Sequence, residues 1–204
     1  LIGVAVFVVL CGVASRFTSD IVDYKQPGFA DVSGYFKDVW ANSLLGLALL
    51  GVYLLVVSVA FPFYSGKGVI GWLAMGLLFW VTVAALLAAQ YFFPIQGRLD
   101  RKFRKIVRKS FLLLFDNTIY TIGLFVVALV ILVASAFTAF LLPGAATIFL
   151  WWNAALKLRL YKYDWLEQNP GADRRKVPWD ALLIDDRERV GKRTLKGMIF
   201  PWKE

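Results

Sequence analysis

The sequence predicts an all-α fold, a polytopic transmembrane bundle of about five helices with interfacial amphipathic helices at its charged side. Two observations predict it. Of the 204 residues, 59% are hydrophobic, against about 45–50% in soluble domains. Long apolar runs also recur without a charge inside them, and the basic residues flank these runs instead of interrupting them. The net charge of +9 therefore does not read as the basic patch of a folded soluble surface that nucleic acid requires, and nucleic acid is not an expected partner.

A helix needs about 20 mostly apolar residues to cross the hydrocarbon core of a bilayer. Residues 42–63, 69–93 and 118–142 each meet this need without a charge. Residues 1–15 are shorter and lack the positive segment that precedes a signal-peptide core. They are expected to be the tail end of a first helix whose upstream residues lie outside the sequence. The fifth span, about 144–158, is also short. It crosses if Lys157 and Arg159 send their stems back toward the interface, as long basic side chains do. Pro143-Gly144 marks the turn before it, and the stretch from Phe61 to Gly66 marks the turn between the second and third spans. Residues 1–160 thus form a transmembrane domain, and 161–204 a tail.

Charge distribution orients these spans. In an alternating topology, 22 of the 23 basic residues and all 14 acidic residues fall on one side, with only Lys67 opposite. Basic loops stay in the cytoplasm. The expectation is a protein of the bacterial cytoplasmic (inner) membrane, N-terminus outside and tail inside, whose outer loops are too small to build a binding domain.

Two segments on the charged side read as interfacial helices. Phe29, Val32, Phe36, Val39 and Trp40 share a helical face ahead of the second span, as a membrane-surface anchor or a partner-docking groove would. In residues 96–110, Leu99, Phe103, Ile106, Val107 and Ser110 share a face, while Arg101, Lys102, Arg104, Lys105, Arg108 and Lys109 cover the rest. Such a basic amphipathic helix contacts anionic headgroups, each cation contributing about 1 kcal/mol. An acidic protein surface or a nucleotide's phosphates would suit it equally. No Gly-rich phosphate loop accompanies it.

Chemistry-bearing residues are sparse. The chain has no His, which removes the commonest general base and metal ligand, and its single Cys11 permits neither a disulfide nor a Cys-based metal cluster within one chain. No catalytic residue, metal site or cofactor is expected. Asp20/Asp23 and Asp185/Asp186 are neighbouring acids that read as solvated loop charge. The spans hold no deep ionisable group, which counts against a pump or symporter. Their polar residues, Gln90 and Asn153 foremost, either tie helices together or contact a substrate. In the tail, Asn169-Pro170-Gly171 and Val177-Pro178-Trp179 break the chain into short pieces. Trp165, Trp179, Phe200 and Trp202 are unusual for a disordered tail. They are expected to dock beneath the protein's own bundle or on another subunit.

Three stretches, in order, resemble the YesL-like family of bacterial integral membrane proteins, a domain of unknown function. They are Gly28-Phe29 through Phe36-Lys37-Asp38-Val39-Trp40-Ala41-Asn42, then Gln90-Tyr91-Phe92-Phe93-Pro94-Ile95 with the basic helix and residues 110–117 after it, and residues 151–160. The first is similar to the family's aromatic, Asn-terminated segment, the second to its Tyr-x-x-Pro-Leu segment, and the third to its last span with a basic exit. The chain departs from the family in its incomplete first helix and longer tail. The resemblance implies a five-helix membrane domain associated with carbohydrate-uptake ABC transporters, without catalytic residues to carry over. The expected function is a non-catalytic accessory component of such a system, contacting lipid, transporter subunits or a second copy of itself. The alternative is a small self-contained transporter or channel, which a water-filled path lined by Asn153, Gln90 and Thr82 would favour.

Overall fold

The computed structural model describes residues 2–139 and 144–190. Among these the chain is helical and contains no strand. Its elements are α1 (Ile2–Val22), a 3₁₀ turn (Phe29–Asp31), α2 (Val32–Ser65), α3 (Gly68–Arg98), α4 (Phe103–Asp116), α5 (Thr118–Phe137), α6 (Ala145–Gln168), α7 (Trp179–Leu182) and α8 (Ile184–Val190). Among the described residues, four stretches are long and apolar enough to cross a membrane: α1, the 3₁₀ turn with α2, α3, and α5. The chain divides into two compact units, Leu1–Lys157 and Leu158–Glu204, and α6 runs through the boundary.

α2 and α3 form a long hairpin. At 1.5 Å per residue they reach about 50 and 45 Å, longer than the roughly 30 Å of a bilayer core. Pro62 lies inside α2, not in the turn that the stretch from Phe61 to Gly66 predicts. Proline costs most in a helix interior, and only Gly66 and Lys67 separate the two helices. Gly68 takes φ of 60°, and a Cβ at Gly71 would overlap the Tyr64 carbonyl oxygen, so the turn needs glycine there.

Burial is uneven along this hairpin. None of the most apolar 18-residue window of the α2 stretch is buried, and 6% of that of α3. Leu54, Leu55, Val59, Trp72, Leu73 and Trp80 are all exposed. Soluble proteins rarely leave such contiguous apolar surface uncovered. The core lies at the other end, where Val39, Tyr91, Ile95, Ile106 and Leu156 are fully buried.

Three expectations are corrected. α1 runs on to Val22, seven residues beyond the predicted span. Residues 29–40 are not a separate interfacial helix: after the 3₁₀ turn they are the first turns of α2, continuous with the apolar part. Val39 packs inward and Tyr35 is half-buried, while Phe29, Phe36 and Trp40 point out. The basic helix does not begin at Gln96, because α3 continues to Arg98 and the chain is non-helical until Phe103. α4 then runs to Asp116, burying Ile106, Ser110, Leu113 and Leu114 and packing on α3. Leu99, in the break, is exposed.

In the second unit, α7 and α8 are joined by an ion pair, Arg187 Nη2 to Asp180 Oδ1 at 2.8 Å.

Candidate functional site

The richest chemistry lies where α1 ends, α2 begins and α3 meets α4. α1 carries Thr18 and Asp20 as helix because Asn153 and Tyr35 reach them from other elements, while Ser19 Oγ is buried without a partner. Asp20, 5% exposed, accepts bonds from the Tyr35 hydroxyl at 2.7 Å, the Lys25 ammonium at 3.0 Å and Arg16 Nη1 at 3.3 Å. A carboxylate this buried needs such partners to remain charged. Arg98 closes the same corner. Its Nη1 donates to Asp23 Oδ1 at 2.8 Å and its Nη2 to the Ser19 carbonyl at 3.0 Å. Asp20 and Asp23 are thus structural anchors, not the solvated loop charge their sequence suggests. The four-residue spacing of Arg16 and Asp20 is the one local signal of this.

α2 joins through amides. Gln96 Nε2 donates to the Val39 carbonyl at 2.6 Å and to Ser43 Oγ at 3.2 Å, and Asn42 Nδ2 donates to the Arg101 carbonyl at 2.8 Å. Arg101 also pairs with Asp38 at 3.2 Å. Asp100 then fastens α4, accepting from Lys109 Nζ at 2.6 Å with Lys105 Nζ 3.9 Å away. The Lys109 ammonium holds the Asp100 carboxyl below the usual Asp range.

These side chains surround a cavity of about 260 Å³ whose walls include Arg16, Asp38, Gln96, Arg98, Asp100 and Arg101. That is just below the roughly 300–1,000 Å³ of drug-sized sites, so it suits a small polar group. Two buried atoms of the wall have no hydrogen-bond partner, Gln96 Oε1 and Arg98 Nε. An unmade bond of this kind costs about 1–3 kcal/mol.

The predicted site residues fall in different places. Arg101 and Lys102 lie in the link before α4, and Arg104, Lys105 and Arg108 are exposed on it, with Lys109 half-buried at Asp100. Asn153 is fully buried: its Nδ2 faces the Ser15 carbonyl, Ser15 Oγ, Thr18 Oγ1 and the Phe149 carbonyl at 3.0–3.2 Å. It therefore ties α6 to α1. Gln90 Nε2 donates to the Thr121 carbonyl at 3.0 Å, and Tyr91 and Thr121 share a hydroxyl bond at 2.8 Å, tying α3 to α5. Thr82 is exposed and meets the Tyr53 hydroxyl within the α2–α3 hairpin. The three residues that would line a transport path are not brought together. Lys157, buried in α6, donates to the Val22 carbonyl at 3.1 Å, with its ammonium 4.6 Å from the centre of the Tyr24 ring. Trp179 opens α7 half-buried, and Phe200 and Trp202 lie outside the described residues. Among the described residues no three metal-ligating side chains cluster.

Comparison with protein-family models, with curated proteins and with solved structures finds no match to the chain.

Proposed function

We propose that the chain is a non-catalytic, five-span protein of the cytoplasmic membrane that presents a folded recognition face on its cytoplasmic side. In this reading α6 supplies the fifth crossing, and the N-terminus is outside. α4 lies at the interface with Phe29, Phe36 and Trp40 at headgroup level.

One observation carries the reading. Gln90 and Asn153, within the apolar helices, are consumed as ties between helices, whereas Arg104, Lys105 and Arg108 are exposed on a helix fixed by its buried stripe. A transporter needs the opposite, polar groups facing a path. A surface of fixed cations instead suits anionic headgroups or an acidic partner face. The resemblance to YesL-like proteins makes a carbohydrate ABC uptake transporter the partner of choice.

Gentle extraction of the tagged protein from its native membrane, followed by mass spectrometry, tests this. Stoichiometric ABC transporter subunits are expected. Their recovery should fall when Arg104, Lys105 and Arg108 are changed together to Gln. Recovery of the protein alone at every detergent strength contradicts the accessory role.

A further inference from the structure

The polar cavity is not used by the role proposed above, which rests on the outer face of α4. Its walls are unusual in three respects. Three arginines, Arg16, Arg98 and Arg101, line one small volume together with Asp38 and Asp100, with the Arg101 side chain at its exposed edge. Asp100 is already paired to Lys109, and Asp38 to Arg101. Next, donors are left over. Arg16 uses Nη1 on Asp20 and stacks over the Tyr35 ring at 5.5 Å, and Arg101 uses Nη2 on Asp38, so each fork keeps further N–H groups. Finally, Gln96, only 6% exposed, holds an acceptor oxygen without a donor.

We propose that this cavity binds a phosphate ester bearing hydroxyl groups, of glycerophosphate size, with the ester's oxygens between Arg16 and Arg101 and its hydroxyls toward Asp38. Guanidinium forks match phosphate oxygens in geometry and charge. Arg98, bound through both terminal nitrogens, contributes its charge and the shape of the floor. Gly97 makes room. A Cβ there would be in ordinary contact with Arg16, 3.5 Å from its Cδ and 3.6 Å from its Cα, so a longer side chain crowds Arg16 at the cavity wall. The same chemistry is offered by a phosphatidylglycerol headgroup and by a soluble glycerol phosphate.

The full chain in an uncharged detergent decides between these sources. Glycerol 1-phosphate is titrated calorimetrically, and retained phosphatidylglycerol is counted by native mass spectrometry. Saturable one-to-one binding of at least one probe is expected. A retained lipid that glycerol 1-phosphate does not displace assigns the headgroup. Binding of glycerol 1-phosphate without a retained lipid assigns the soluble ester, and displacement of one by the other shows that both use the cavity. Removing a charge-assisted bond weakens binding about tenfold, so Arg16→Gln with Arg101→Gln should cost at least that. Gly97→Leu, which crowds Arg16 without changing any charge, should do the same. Arg174→Gln with Arg175→Gln removes equal charge from exposed positions of the second unit, outside both the cavity and α4, and should change binding less than twofold. No saturable binding of either probe overturns the proposal. So does equal weakening by the two arginine pairs, which would mean attraction by net charge, or binding that survives Gly97→Leu.

Discussion

Replacing Asn153 by Ala separates a structural role in α6 from a transport role. The amide has two N–H groups, which four acceptors share: the Ser15 carbonyl and hydroxyl, the Thr18 hydroxyl and the Phe149 carbonyl. At most two bonds can be fully formed at once. Polar ties between membrane helices contribute about 0.6–2 kcal/mol each. The unpartnered Asn153 Oδ1 offsets part of that, and the truncated side chain leaves a small void at a fully buried position. The net loss is about 1–3 kcal/mol. For a chain of this size each kcal/mol moves the midpoint by about 2–4 °C, so a fall of about 2–12 °C is expected. Thermal unfolding in detergent, followed by the fluorescence of Trp151 and Trp152, reads it. The exposed Asn169→Ala, which loses only a bond back to the Trp165 carbonyl at the end of α6, serves as control. An Asn153→Ala protein as stable as the control would refute the tie, and a substrate-contacting role would then return.

Other perturbations probe the charged end. Gly12→Ala places a Cβ 2.6 Å from Ser43 Oγ and 3.2 Å from Val39 Cγ2, so either Ser43 turns away and loses its bond from Gln96 or α1 and α2 separate, at a cost of about 1–3 kcal/mol. Gly51→Ala, with nothing within 4 Å, should be neutral or slightly stabilising in the same thermal assay. Asp20→Asn keeps an acceptor for Tyr35 but strands Arg16 and Lys25. Because Lys25 is largely exposed, the loss should be about 1–2 kcal/mol, below the 3–5 of a fully buried pair; chemical denaturation measures it. Asp100 gives a pH dependence. Its folded pKa is lowered, so its stabilising effect is full above the ordinary Asp value of about 3.9 and is lost as pH falls through the lower folded value. Amide protection in α4, corrected for the intrinsic exchange rate at each pH, should fall on acidification through that window, and Asp100→Asn should reduce the dependence.

The apolar helices are legible because each spans about 20 residues, long enough for composition alone to decide. Turns are legible only in part: Pro62 reads as a breaker, yet near the end of α2 it is accommodated within the helix. The candidate site is hardly legible. Asp20 is stabilised by Tyr35, fifteen residues away, and Ser19 and Asp23 by Arg98, more than seventy away. No local pattern encodes such pairings, so a helical end rich in Ser, Thr and Asp reads as a loop. α4 shows an intermediate case. Its basic face and Ile106 are evident from periodicity, but the break from Leu99 to Lys102 depends on Asn42 capturing the Arg101 carbonyl across the bundle. Asn153 and Gln90 stand out in the sequence as polar groups among apolar ones. Only their partners reveal that they join helices.

Orientation underlies the proposed function most directly, and cysteine labelling from outside intact cells measures it. In a Cys11→Ser background, Lys67→Cys lies at the tip of the α2–α3 hairpin, and Arg104→Cys on the exposed face of α4. A membrane-impermeant maleimide is expected to label Cys at 67 in intact cells and Cys at 104 only after lysis. The reverse pattern, or labelling of both in intact cells, would contradict a cytoplasmic recognition face.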